Sequence, residues 1–201
     1  MKIFIVIMIS LTTLLTVNYF LPQEQDFQIY EDTLRLHVLA NSDSAEDQAL
    51  KLKVRDVLLD EMNSLKADSK EQAVALIEEN KKDLMEKASE VIKQEGKAYS
   101  ISIDVGQEFY PTRQYEGFSL PSGEYTSVIV TIGKGDGQNW WCVLYPPLCT
   151  YAAIKMDEEA CLQVGLTKNQ YDLITSNESG QYKIKFKLLE IAAEAFGFKY
   201  E

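Results

Sequence analysis

The spacing of hydrophobic positions divides the chain before any composition is considered. From Ile3 to Leu21 no side chain is charged, and Lys2 precedes the run. A stretch close to the ~20 residues needed to cross a ~30 Å hydrocarbon layer predicts an export segment whose positive end stays in the cytoplasm. Its length favours an uncleaved anchor over a removed signal, as does the lack of any Ala before Ala40 to form a small-x-small cleavage site; Ser10 with Thr12 is the best substitute. Pro22 to Asp32 is polar (Gln23, Glu24, Gln25, Asp26) and reads as a linker lifting a domain off a membrane.

Period two then sets in. Leu34, Leu36 and Val38 alternate with Arg35 and His37, the pattern of a strand with one apolar face. Asn41-Ser42-Asp43-Ser44 supplies short side chains that accept backbone N–H bonds, and Ser44 with Asp47 resembles a capping box. The helix predicted there points Leu50, Val54, Val57, Leu58, Met62 and Leu65 inward and Lys51, Lys53, Arg55 and Asp56 elsewhere. Ser69 with Gln72 opens a second helix carrying Ala73, Leu76, Ile77, Leu84, Ala88, Val91 and Ile92 inward, with Gly96 as its stop.

After Gly96 the period returns to two through Tyr99, Ile101, Ile103 and Val105. Further strands are predicted from Tyr125 to Ile132, after a Leu-Pro-Ser-Gly turn, and from Asn139 to Tyr145. Gly133, Gly135 and Gly137 lie between two strands rather than before a helix, so they predict a hairpin connection and not a phosphate-binding loop. Lys168 to Thr175 fits a short helix; Tyr182, Ile184 and Phe186 alternate before Leu188 to Phe196 turns helical and stops at Gly197. The fold class expected is α+β: a mostly antiparallel sheet against two long amphipathic helices, with a C-terminal helical segment. The divisions expected are 1–21 (export), 22–32 (linker), 33–151 (core domain) and 152–201 (the rest of that domain).

Composition narrows the function. The chain carries 20 Lys and Arg against 31 Asp and Glu, a net charge of −11, the wrong sign for a polyphosphate, so nucleic acid is not expected as a partner. One His and three Cys cannot build the common structural zinc sites, and no calcium-loop motif occurs, so neither metal nor cofactor is expected. Cys142 and Cys149 flank Pro146-Pro147, a turn that brings them toward disulfide distance in an oxidising compartment. Cys161 is then buried, reactive or intermolecular. His37 is the only histidine, no family signature surrounds any cysteine, and the nucleophile-elbow, zinc-helix and Walker motifs are absent, so no catalytic residue is expected. An envelope hydrolase working through carboxylates and a solute-binding module are the alternatives of other classes.

Three stretches carry a family resemblance. They are Leu34-Arg-Leu-His-Val-Leu-Ala-Asn-Ser-Asp-Ser-Ala-Glu-Asp-Gln-Ala-Leu-Lys-Leu-Lys-Val-Arg-Asp56; Phe109-Tyr-Pro-Thr-Arg113 with Leu120-Pro-Ser-Gly-Glu-Tyr125; and Gly137-Gln-Asn-Trp-Trp-Cys-Val-Leu-Tyr-Pro-Pro-Leu-Cys149, with a weaker echo at Phe186-Lys-Leu-Leu-Glu190. Together they resemble the stage II sporulation protein R family of endospore-forming Firmicutes. The resemblance implies a protein exported from the forespore into the space between the forespore and mother-cell membranes. There it would activate a membrane-embedded aspartic protease that processes the precursor of the early mother-cell sigma factor. It implies no catalytic residues, and no small-molecule substrate is expected. Arg35, His37, Asn41, Asp43, Gln48, Arg113, Trp140 and Trp141 are the candidate partner-contact residues, with a further contact to membrane through residues 3–21. Alternation places Arg35 and His37 on a sheet face left open to water or a partner. The competing reading makes Arg35, His37, Asn41, Asp43 and Gln48 a buried polar network that fixes the strand-to-helix turn. Trp140 and Trp141 point to opposite faces, so one is expected in the core and only the other at a partner.

Overall fold

A computed structural model describes residues 2–20, 24–115, 117–148 and 158–175. The chain runs α1 (Lys2–Phe20), α2 (Glu24–Asp32), β1 (Leu34–Leu39), α3 (Ala45–Ser64), α4 (Lys70–Gln94), β2 (Ile101–Tyr110), β3 (Arg113–Tyr115), β4 (Phe118–Leu120), β5 (Gly123–Ile132), β6 (Asn139–Tyr145), α5 (Glu158–Gln163) and α6 (Lys168–Thr175). The class is α+β. Four strands form one sheet in the order β2-β5-β1-β6, and β3 pairs with β4 in a small second sheet. Within the large sheet only β1 and β5 run parallel.

Both long helices start where the capping residues stand. Ser44 Oγ accepts from the Asp47 N–H and Ser69 Oγ from the Gln72 N–H, satisfying donors that a helix start leaves open. Gly96, at φ +70°, follows the last turn of α4 in the left-handed conformation that suits glycine. The apolar faces of α3 (Leu50, Val54, Leu58, Met62) and α4 (Ala73, Ile77, Leu84, Ala88, Ile92) pack on one side of the sheet, against Leu34, Leu36, Val38, Ile103, Val128 and Val130.

The other side of the sheet is also covered, in its lower half. Ile29 and Tyr30 of α2, Phe118 and Leu120 of β4, Leu148, Cys161, Leu166 and Ile174 of α6 enclose Tyr110, Tyr125 and Val143. Ile29 and Tyr30, expected in a linker, are therefore part of this core. Glu24–Asp32 is helical, and Ile29 and Tyr30 are buried because they give this second core its floor. The expected hairpin across Gly133 to Gly137 is also corrected: β1 lies between β5 and β6, so those glycines carry the chain past the end of β1. Gly137 passes so close that a Cβ there would sit 2.4 Å from the Ser42 carbonyl oxygen. The strand after α4 runs to Tyr110, further than its apolar alternation shows.

α1 is a single helix whose side chains from Ile3 to Ile9 are exposed. Among the described residues no helix is long and apolar enough to cross a membrane. The predicted strand and helix around Tyr182 to Phe196, the echo at Phe186 to Glu190, and Cys149 lie outside the described residues.

Candidate contact site

Arg35 is the largest fully buried side chain, which overturns the expectation that its face of β1 is open. The second core covers that face. Burying a guanidinium calls for compensation, and among the described residues no carboxylate pairs with it. Its Nε donates to the Cys142 carbonyl at 3.1 Å and its Nη2 to Tyr115 Oη at 2.7 Å. The guanidinium carbon stands 4.1 Å from the Tyr110 ring centroid, 5.0 Å from that of Tyr125 and 5.9 Å from that of Tyr115. Ring faces replace the carboxylate. Burial pushes the Tyr110 and Tyr115 hydroxyls above their ordinary pKa, so both remain neutral, and Tyr110 Oη shares a 2.5 Å hydrogen bond with Ser127 Oγ.

His37, two residues on, sits where the cover of the second core ends, and only 5% of it is exposed. Its Nδ1 donates to Glu108 Oε1 at 2.7 Å, and the side-chain amide of Asn139 lies 2.9 Å from Nε2. Both ring nitrogens are thereby hydrogen-bonded, which fixes the ring in place. The imidazole orients Trp141, whose ring centroid is 5.5 Å away, and Trp141 also meets the edge of Tyr110 at 6.0 Å. Arg113 lies over that indole, its guanidinium carbon 3.8 Å from the ring centroid. Glu108, Arg113 and Trp141 are half-buried, and beyond them Leu39, Ile129 and Thr131 continue the sheet face, also half-buried.

Asn41, Asp43 and Gln48 form a separate cluster at the turn from β1 into α3. Asp47 Oδ2 accepts from Asn41 Nδ2 at 2.9 Å and from Ser42 Oγ at 2.5 Å, bonds that hold its carboxyl below the usual range. Asn41 Oδ1 accepts from the Lys134 N–H and Asp43 Oδ1 from the Gln138 N–H, tying the glycine-bearing loop to the turn. Gln48 Nε2 donates to the Ser42 carbonyl. Lys51, expected on an outer face, is buried instead: its Nζ donates to Gln48 Oε1 and to the Gln138 carbonyl at 2.7 Å each, and burial lowers its pKa. For these three candidates the polar-network reading fits the geometry. Arg35 and His37 belong to the other cluster.

The two tryptophans do face opposite sides of β6, but neither is fully buried. Trp140 packs at the edge of the helix-side core under Arg55, whose guanidinium carbon is 4.7 Å from its ring centroid. Sequence reasoning found Arg113, Trp141 and His37 through the motifs and missed Glu108, Asn139 and Tyr115, whose roles depend on strand pairing. Cys161 is buried in the second core. Among the described residues no group of three or more His, Cys, Asp or Glu could hold a metal ion.

The profile of the stage II sporulation protein R family (spore_II_R) matches residues 30–155. Stage II sporulation protein R of Bacillus subtilis (strain 168) is 40% identical over 129 residues, which cover 63% of this chain and 58% of that protein. The chain thus spans a little over half the length of that curated relative. No solved structure matches it. The matched segment takes in the sheet, both long helices and both side-chain clusters, and the chain belongs to the stage II sporulation protein R family.

Proposed function

We propose that the protein is an exported sporulation signal. Its folded domain acts outside the cytoplasm of the forespore, where it binds and activates a membrane-embedded aspartic protease of the mother cell. That protease then processes the precursor of the early mother-cell sigma factor. Family membership carries this reading, and the apolar run from Ile3 to Leu21 supports it as the export segment or membrane tether. The site is of the right kind for recognition rather than chemistry: arginine, tryptophan and histidine on a half-open strand surface, with the imidazole fully engaged. Tryptophan, tyrosine and arginine dominate the energetics of protein–protein contacts. A Cys142–Cys149 bridge in the oxidising space belongs to the same reading.

Reconstitution in a non-sporulating host tests it. Full-length chain, the membrane protease and the sigma precursor are co-expressed, and the precursor is followed by immunoblot. Cleavage is expected only with all three together, and is lost when deletion of residues 2–21 keeps the domain in the cytoplasm. Cleavage that proceeds with the retained domain overturns the reading, as does no cleavage with an exported, folded one.

A further inference from the structure

The chain contains three arginines, Arg35, Arg55 and Arg113, and two of them lie on a tryptophan. On the helix side of β6, Arg55 covers Trp140 and its Nε and Nη2 both reach Asp56 Oδ1, at 2.8 and 2.5 Å. That arrangement is complete: an indole beneath, a carboxylate at the edge. On the opposite side, Arg113 covers Trp141 more closely, yet among the described residues no carboxylate meets it. Its Nε is shut off from water with no hydrogen-bond partner.

We propose that Arg113 receives, at its terminal guanidinium nitrogens, a carboxylate from an acidic side chain of a partner protein. This rests on the reading that the protein works by contact. The guanidinium is already oriented: Trp141 holds its plane, His37 and Tyr110 hold Trp141, and Glu108 and Asn139 hold His37. An arginine fixed in this way offers paired terminal donors that match a carboxylate. A protein is favoured over a small acid because the surrounding surface is strand face, and the clefts along α3 and α4, beside β6 and at α5 are not lined by Arg113 or Trp141. At a net charge of −11 the domain draws no acidic partner by its long-range field, so selection falls to this contact.

The test uses full-length protein as the sole copy in a sporulating host, with heat-resistant spore titre as readout. Arg113→Glu is expected to lower the titre at least tenfold, Arg113→Lys less, and Lys134→Glu, an equal charge change at an exposed site, not at all. The Arg113 variants must match wild type in protein level and keep the thermal midpoint in detergent within about 2 °C. Suppressors of Arg113→Glu are expected as acid-to-Lys or acid-to-Arg changes in one partner protein. A normal titre for Arg113→Glu, a loss explained by a fallen midpoint, or suppressors confined to this chain each overturn the proposal. Suppressors in an acid of a protein other than the membrane protease would keep this inference and retire the protease as the partner.

Discussion

Arg35 sets the terms on which the second core is built. A buried guanidinium without a carboxylate persists here because desolvated ring faces attract a cation by about 2 kcal/mol, and hydrogen bonds to a charged donor add about 1.5–3 kcal/mol each. The Tyr110, Tyr115 and Tyr125 rings supply the first term, and Tyr115 Oη with the Cys142 carbonyl the second. Arg35→Ala would remove all of these and leave a cavity lined by polar atoms without partners. It is expected to destabilise the domain by about 3–5 kcal/mol, read as a shift of the denaturation midpoint. Arg35→Lys recovers only part, because an ammonium is a hydrated point charge that does not stack. A loss under about 1 kcal/mol for Arg35→Ala would show that the guanidinium is no part of the core. The same physics separates Arg35 from Arg113: one is enclosed and structural, the other half-open and unpaired.

At the scale of elements, the junction of β1 with α3 is where charge and helix start meet. Hydrogen bonds from Asn41 first and Ser42 second hold the Asp47 carboxyl below its ordinary value near 3.8. The unfolded chain therefore takes up this proton at a higher pH than the folded one. The resulting stability is present above pH 3.8 and is lost as pH falls through the folded-state value. Asp47→Asn is expected to cost about 1–3 kcal/mol at neutral pH, and the gap to wild type should close below about pH 4 in urea titrations. A gap that stays constant from neutral pH to pH 2 refutes the assignment. This junction was legible in the sequence, because capping residues and a change of period are local signals; the bounds of β6 and the start of α3 follow from them. The strand order was not. β5 and β6 are neighbours in sequence with glycines between, and local rules make such neighbours a hairpin, whereas the insertion of β1 depends on contacts far along the chain. Glu108 and Asn139 were missed for the same reason, lying 71 and 102 residues from the histidine they hold. α2 was hidden by its polar start, with Ile29 and Tyr30 marking a buried face among the described side chains, and β3 and β4 are too short at three residues each to show a period.

The whole domain has two cores on one sheet, and the strands belong to both. Along β1, Leu34, Leu36 and Val38 enter the helix-side core while Arg35 enters the other; along β5, Val128 and Val130 face one side and Tyr125 and Ser127 the opposite. A strand cannot leave one core and stay in register in the other, so the cores should melt together even though their helices come from distant parts of the chain. Each core also has its own reporter: Trp140 packs against the helix-side core and Trp141 against the second. In Trp140→Phe only Trp141 remains, and in Trp141→Phe only Trp140, so fluorescence unfolding curves of the two variants follow the cores separately. The midpoints are expected to coincide with that from far-ultraviolet circular dichroism for each variant. Ile29→Ala in the second core and Ile77→Ala in the first should each cost about 2–5 kcal/mol and should lower both tryptophan transitions together. Should Ile29→Ala move the Trp141 transition and leave that of Trp140 in place, the cores are independent, and α2 could detach without disturbing the four-stranded sheet.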